Sequence, residues 1–332
     1  MDKRLEKIKS WLGVVLNQPL LSIAPASQDA SFRRYFRART RDASYVIMDA
    51  PPEKESLSDF VAIDRALIEL GVHAPTIHQI NLDDGFLLLE DLGDRTYLNE
   101  LSSNSKSLYN DAIKTLVKIQ GGIFTENNLT ELTPRAYDAA LVNQELNLFD
   151  DWYLKRHLDI ELDSKMQLIW QDTKECLVQA FAQQPQVWVH RDYHSRNLMI
   201  HDDNSPAVID FQDMVIGPIA YDLASLFKDC YIEWPRDQQH LWLAEYLEHL
   251  HRQLPSLVIS IDDLIRWVDF TGLQRHLKVL GIFCRLNYRD GKAHYLDDLP
   301  LVKKYVIEVI DLYPEFKNFK TMLNAIYKQV AI

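Results

Sequence analysis

Cysteine is scarce in this chain: three in 332 residues, Cys176, Cys230 and Cys284, with no C-x-x-C pair. An odd, widely spaced set excludes a disulfide framework and argues against a zinc site. It fits a reducing compartment, so a cytoplasmic protein is expected. Positive charge is also short: 36 Lys and Arg against 48 Asp and Glu, a formal net charge of −12. A surface of that sign repels phosphate backbones, so nucleic acid is not an expected partner, while a local basic pocket for a small anion stays open. No apolar run approaches the roughly 18 residues that span a bilayer, and the apolar stretch near the N-terminus is too short for a signal peptide. No membrane partner is expected. Instead Leu5, Ile8, Trp11, Leu12, Val15 and Leu16 fall at helical spacing, which predicts an amphipathic helix packed on the body. Finally, no G-x-G-x-x-G occurs, which removes the commonest glycine loop for wrapping phosphates.

What is present reads as a soluble globular chain, 47% apolar and 25% charged, long enough for two domains or two lobes. "SFRRYFRAR" and "SYVIMDA" alternate like half-buried strands around a turn from Thr40 to Ala43. "SLSDFVAIDRALIELG" has helical periodicity through Phe60, Ile63, Leu67 and Leu70, with Gly71 where a C-terminal cap belongs. Ile77 to Asn81 and Phe86 to Glu90 read as strands joined by "LDDG". From Tyr97 onward helical patterns dominate. The expected fold class is α+β and two-lobed, with a small β-rich lobe over 1–92 holding one helix and a larger, mainly helical lobe over 93–332. "EDLGDRT" (Glu90 to Thr96) is short, so the lobes are expected to be closely hinged.

The chemistry concentrates in "VWVHRDYHSRNLMI". Val187 to Val189 predicts a strand, His190 to Asn197 a loop, Leu198 to His201 a second strand. "DDNS" is then a turn, and Ala207 to Asp210 a third strand ending in "IDFQD". This puts Asp192, Asn197 and Asp210 at neighbouring strand ends. Carboxylates and an amide oxygen are hard-oxygen ligands that suit a magnesium ion keeping several waters and holding substrate phosphates. A further carboxylate off the metal can orient a hydroxyl nucleophile and accept its proton. Phosphoryl transfer needs little beyond such positioning and charge neutralisation.

The spacing matches the loop H-R-D-L-x-x-x-N followed by D-F-G in protein kinases. "HRDYHSRNLM" and "VIDFQDMVIGPIAYDLASL" resemble the aminoglycoside phosphotransferase and choline kinase group, which shares the protein-kinase fold. The resemblance includes a second histidine, His194, before the asparagine, and a "YDLA" segment at Tyr221 to Ala224. It implies that Asp192 is the catalytic base or hydroxyl-positioning residue, that Asn197 and Asp210 bind Mg²⁺, and that His190 and Asp222 support the catalytic loop. It also implies ATP as the phosphoryl donor, with adenine held by the backbone near Glu90, Asp91 and Leu92.

Two departures concern the phosphates. In place of a glycine loop stands "PASQDASFRRYF", where Ala26, Ser27, Ala30 and Ser31 would let backbone N–H groups approach phosphates and Ser27 and Ser31 add hydroxyls. Arg33 or Arg34 would add a positive charge, and strand alternation lets only one of them face the nucleotide. An ordinary hairpin with solvated arginines is the competing reading. The strand-three lysine of V-A-I-K is replaced by Met48, which leaves Arg33, Arg34 and Lys54 as candidates by sign only. "DFQ" in place of D-F-G, with no A-P-E, argues for a small-molecule rather than a protein acceptor.

For that acceptor the informative segment is "TGLQRHLKVLGIFCRLNYRDGK". On a helix Gln274, Lys278, Gly281 and Arg285 share one face, and Leu273, Leu277 and Leu280 another that is expected to be buried. A solvated face is the competing reading, but a mid-helix glycine often permits close approach. A polycationic aminoglycoside would want the opposite charge. "DASFRRYFR", "VIMDAPPEKE", "FLLLEDLGDRTYL", "IDFQD" and the helix above together resemble the bacterial anomeric N-acetylmuramate/N-acetylglucosamine kinase family, over about residues 20 to 330. That resemblance implies ATP- and Mg²⁺-dependent phosphorylation of the C1 hydroxyl of an N-acetylated amino sugar in peptidoglycan recycling. Lys278 or Arg285 would then meet a lactyl carboxylate, with Asp297, Asp298 and Tyr288 as other sugar contacts. A kinase of another alcohol (choline, homoserine or an aminoglycoside) and a non-catalytic nucleotide-binding protein are the alternatives. The oligomeric state is left open.

Overall fold

The computed structural model describes residues 2–27, 33–54, 57–122, 135–200 and 206–330. Its first layer is an antiparallel sheet built by period-two alternation. β1 (Ser22–Ser27), β2 (Arg34–Arg39), β3 (Ser44–Asp49), β4 (Ile77–Asn81) and β5 (Phe86–Glu90) pair in the order β1-β2-β3-β5-β4. Helix α1 (Lys3–Val15) covers one face: its Ile8 and Leu12 pack with Phe36, Ala38, Ile47, Phe86 and Leu88. Met48, Leu87 and Leu89 point the other way, into the main core with Phe60, Ile63 and Leu67 of α2 (Leu57–Glu69). The sheet is thus buried on both faces, which is why β5 reads as an unbroken apolar run. Pro25 sits on edge strand β1, where its missing N–H costs nothing. Gly71, at φ +69°, follows the end of α2 as the spacing predicts.

The same alternation decides between the two arginines. Arg34 points to the α1 face, where it pairs with Asp2 and, at 2.5 Å, with the fully buried Asp49. Arg4 of α1 meets the same carboxylate at 2.5 Å, so Arg34 staples α1 to the sheet and is removed as a nucleotide contact.

Asp64 is the exception inside α2. It shares the buried face with Phe60, Ile63 and Leu67, is only 1% exposed, and its Oδ1 has no hydrogen-bond partner among the described residues. Burial pushes its carboxyl up to about 7, with Arg65 opposing. A raised acid favours the fold when protonated. Its contribution is fully present below the unfolded value near 4 and is lost as pH rises through about 7. Asp64→Asn should therefore gain on the wild type with pH, the Tm difference widening by roughly 2–4 °C from pH 5 to pH 8 in thermal scans. A difference independent of pH would contradict this.

The rest is mainly helical. α3 (Tyr97–Gly121), α4 (Ala139–Leu148), a π-helix (Phe149–His157) and α5 (Ser164–Ala182) precede the short strands β6 (Gln186–Val189), β7 (Leu198–Met199), β8 (Ala207–Val208) and β9 (Val215–Pro218). α6 (Ala220–Phe227), α7 (Arg236–Gln253), α8 (Ile261–Asp290), α9 (Leu299–Leu312) and α10 (Lys317–Gln329) follow. The turn expected at Asp202 to Ser205 lies outside the described residues, as does His201. Backbone bonds from Val208 N–H to His73 O, Ile200 N–H to Arg95 O and Leu98 N–H to Ser195 O tie the sheet and its connector to the β7–β8 hairpin.

α8 runs from Ile261 to Asp290 and is capped by Gly291 with φ +69°. It runs through the middle of the helical part, with α4, the π-helix, α6 and α9 packed around it. Leu273, Leu277 and Leu280 are buried as expected, but so are Gln274, Arg275, His276 and Lys278. Gly281 does permit a close approach, though not of a ligand. A Cβ there would sit 2.2 Å from the Leu148 carbonyl oxygen, so the glycine serves the crossing with the α4–π-helix junction.

Candidate functional site

β6 pairs with β9, and β7 with β8, so the residue 190–197 loop is held at both ends. Asp222 on α6 closes it from below. The Asp222 carboxylate accepts the backbone N–H of His190 at 2.7 Å and of Arg191 at 3.0 Å. His190 is fully buried. Its Nε2 donates to Ile209 O at 3.1 Å and its Nδ1 accepts the Asp192 N–H at 3.3 Å. Burial brings its pKa down to about 4, so a neutral ring fills both roles. Tyr193 donates to Ala112 O at 2.9 Å, and Ser195 gives its N–H and hydroxyl to Asp229 at 3.0 and 2.5 Å. These bonds hold two non-glycine residues, Arg191 (φ +76°) and Asp210 (φ +66°), in left-handed conformation. Each costs about 1–2 kcal/mol, so the loop is shaped by its anchors against local preference.

The result brings Asp192, Asn197 and Asp210 together. Asn197 Nδ2 donates to Asp192 O at 3.0 Å and lies 3.4 Å from Asp210 Oδ2. The amide nitrogen is thus spent on the chain, and the Oδ1 lone pairs are left to coordinate a cation. Gln212 reaches back to Asp210 Oδ1 at 2.7 Å, a role a glycine at that position has no side chain for. Phe211 packs on Phe60 of α2 with ring centroids 4.7 Å apart. The Asp192 side chain is 47% exposed. Burial of the site raises its pKa, but Lys278, then His194 and Arg275, outweigh that and hold it at about 2. The described residues contain no cluster of three or more His, Cys, Asp or Glu, so the donor set is an open pair of hard oxygens rather than a closed cage.

A cleft of about 430 Å³ lies between sheet and hairpin, walled by Tyr35 and Val46 on one side, Met199 and Ile209 on the other, and the connector Leu89 to Asp94 behind. Arg37 lines it too, and the sequence reading passed it over. It pairs with Asp91 and Asp94, each at 2.8 Å, and bonds Gly93 O at 3.1 Å, so it braces the connector. Its parity with Tyr35 on β2 was the available signal. Glu90 spends its N–H on Thr76 O, and its side chain on Thr76 and His73 at 3.0 and 3.3 Å. The Leu92 backbone makes no hydrogen bond to another described residue. Ser27 ends β1, Arg33 immediately precedes β2, and Ala30 and Ser31 lie outside the described residues. Met48 is fully buried in the main core.

Beneath the loop lies a buried polar network that no motif announced. Glu145 of α4 accepts from Arg191 at 2.8 Å, Lys278 at 2.9 Å, Gln274 at 3.0 Å, and Tyr137. Lys278 also donates to the Tyr221 hydroxyl at 3.1 Å. Gln274 and Lys278, expected as sugar contacts, are therefore committed to the chain's own groups, because α8 buries its polar face on Glu145. Arg285 lies two turns further along α8 and is half-buried, with its Nε unpaired among the described residues. Arg275 reaches the site instead: 4% exposed, it meets Cys230 Sγ at 3.4 Å and stands 4.0 Å from Asp192 Oδ1. Tyr288 turns away to the π-helix, where its hydroxyl meets His157 at 3.1 Å.

The phosphotransferase enzyme family model matches residues 22–257. The N-acetylmuramate/N-acetylglucosamine kinase of Pseudomonas aeruginosa is 40% identical over 336 residues, covering 98% of this chain and 97% of that protein. The protein of the same name from Pseudomonas putida is 42% identical over 334 residues, covering 97% and 96%. Among solved structures, the choline kinase of Streptococcus pneumoniae superposes with TM-score 0.65 at 13% identity, covering 92% of this chain and 100% of that one. Aminoglycoside 2'-phosphotransferase-IIIa, solved with GDP, gives 0.65 at 12% identity, covering 92% and 99%. At such identities the structural likeness is one of fold: two-lobed and protein-kinase-like, as expected.

Proposed function

The chain belongs to the phosphotransferase enzyme family, and on that premise we propose that it transfers the γ-phosphoryl group of ATP to the anomeric C1 hydroxyl of N-acetylmuramate and N-acetylglucosamine, in peptidoglycan sugar recycling. The observation that carries this reading is the near-full-length identity, about two residues in five, to two kinases named for those sugars.

The geometry supports a mechanism. Asp192, an ionised carboxylate at neutral pH, is half exposed on the loop that also carries Asn197. It accepts a hydrogen bond from the C1 hydroxyl and aims its oxygen at the phosphorus. A carboxylate this acidic is a weak base, which suits an anomeric hydroxyl, itself more acidic than an ordinary alcohol; the proton moves to Asp192 late. Asn197 Oδ1 and the Asp210 carboxylate are the proposed Mg²⁺ ligands. The ion, when bound, supplies charge neutralisation at the phosphate oxygens. Adenine is placed against the connector. There the N–H of Glu90 is already used, so the donors left are those of Asp91 and Leu92, between apolar walls from Val46 and Met199. Ser27, Ala30, Ser31 and Arg33 are the proposed contacts for the phosphates, with Ala30 and Ser31 outside the described residues. In this reading residues 1–92 form the nucleotide lobe and 93–332 the catalytic lobe. A cytoplasmic site of action follows from the cysteine usage and the recycling role. No helix of the described residues is long and apolar enough to cross a membrane.

The test is ADP release with N-acetylmuramate, N-acetylglucosamine, choline and kanamycin as separate acceptors. Turnover on the two amino sugars alone is expected. Turnover on choline or kanamycin in their place would overturn the acceptor assignment.

A further inference from the structure

Among the cations of the site, Lys278 is held by Glu145 and Tyr221, and Arg37, lining the cleft, by Asp91 and Asp94. Arg275 stands so close to Asp192 that it meets whatever occupies the reacting hydroxyl, a group both sugars share. Arg196 differs. It is exposed, lies on the catalytic loop four residues after Asp192, and lines the cleft beside Asn197. It makes no hydrogen bond or ion pair with another described residue. Its guanidinium stacks on Tyr231, with the guanidinium carbon 3.4 Å from the centre of the ring.

We infer that Arg196 binds the lactyl carboxylate of N-acetylmuramate and so sets the preference between the two sugars. The inference rests on the acceptor class proposed above. Stacking fixes the guanidinium plane and leaves its N–H edge, five donors, turned away from the ring. A fixed, unspent fork is the geometry that a carboxylate takes two bonds from. Tyr231 packs edge-on against His194 at 5.6 Å, and His194 Nδ1 is buried without a partner among the described residues. Two carboxylates are nearby, and neither forms an ion pair with Arg196. Asp229 already accepts from Ser195 and from the Tyr231 N–H at 3.1 Å. Asp298 is half-buried, and its raised pKa comes from burial, with Arg196 the main opposing influence. The two sugars differ only by the lactyl ether on C3, which carries its carboxylate a few bonds from C1. Arg196 lies on the same loop as Asp192, whereas Arg285 is two helical turns beyond Lys278 on α8.

The experiment compares wild type with Arg196→Gln and Arg196→Lys on N-acetylmuramate, its neutral lactyl amide and N-acetylglucosamine. The expected result is a fall of about 10- to 100-fold in the acid-to-amide ratio of kcat/KM for Arg196→Gln, with a smaller fall for Arg196→Lys. Equal losses on all three sugars, or a raised ATP KM with an unchanged ratio, would overturn the assignment, the second by moving the guanidinium to the nucleotide phosphates. Wild-type protein that phosphorylates none of the three sinks the functional reading itself, a failure distinct from an unchanged ratio.

Discussion

Asp192→Asn is expected to lower kcat by about 10²- to 10⁴-fold while leaving the ATP KM within a few-fold. The amide keeps the shape of the side chain and its place above Asn197. It loses the charge that orients the hydroxyl and the site that takes its proton. The anchors of the loop, His190 to Ile209 and Asp222 to the backbone of His190 and Arg191, do not involve the Asp192 side chain. The variant should therefore fold, bind nucleotide and stay within a degree or two of the wild-type Tm. Steady-state kinetics with both amino sugars reads the effect. A kcat within tenfold of wild type would remove Asp192 from the chemistry and reopen the non-catalytic reading.

Glu145→Ala should be the most damaging single change away from the cleft, destabilising by about 3–5 kcal/mol. Burial alone would raise the Glu145 pKa, but Lys278 and Arg191 outweigh it and keep it low, so the group is ionised among its donors. Removing it leaves two cations buried without their counterion. Arg191 precedes Asp192 and already sits in a strained conformation, so the loop loses a side-chain anchor where it can least absorb one. Glu145→Gln, which keeps the volume and some of the hydrogen bonds, should lose less. Urea unfolding of both variants tests the order, and equal, small losses would show that the network is peripheral.

The parts of this molecule that were legible in the sequence are those fixed by short-range pattern. Alternation placed β2 and β3, and Gly71 marked the end of α2. The strand-to-loop break at His190 marked the residue 190–197 loop, because an apolar strand gives way there to seven polar or charged residues within eight positions. What stayed hidden depends on distant partners. Glu145 reads as an unremarked helix residue in "ALVNQELNL", and its partner Lys278 is 133 positions away. The polar face of α8 was read as a ligand face because periodicity says which residues share a side, not what lies across from it. Gly281 signalled a close approach, but the approaching group was Leu148, the last residue of α4, where the chain passes into a π-helix that no composition foretells. Arg37 and Arg196 look alike as single letters. Only three-dimensional neighbours show that one is spent on aspartates and the other is stacked, with its donors unspent among the described residues.

The measurement that tests the central claim most directly is the stoichiometry of reducing-end loss. With ATP, Mg²⁺ and either amino sugar, one reducing end should disappear for each ADP formed, since phosphorylation at C1 blocks ring opening. ADP formed while the reducing ends persist would place the phosphate on another hydroxyl, and the account of Asp192 acting on the anomeric oxygen would be wrong.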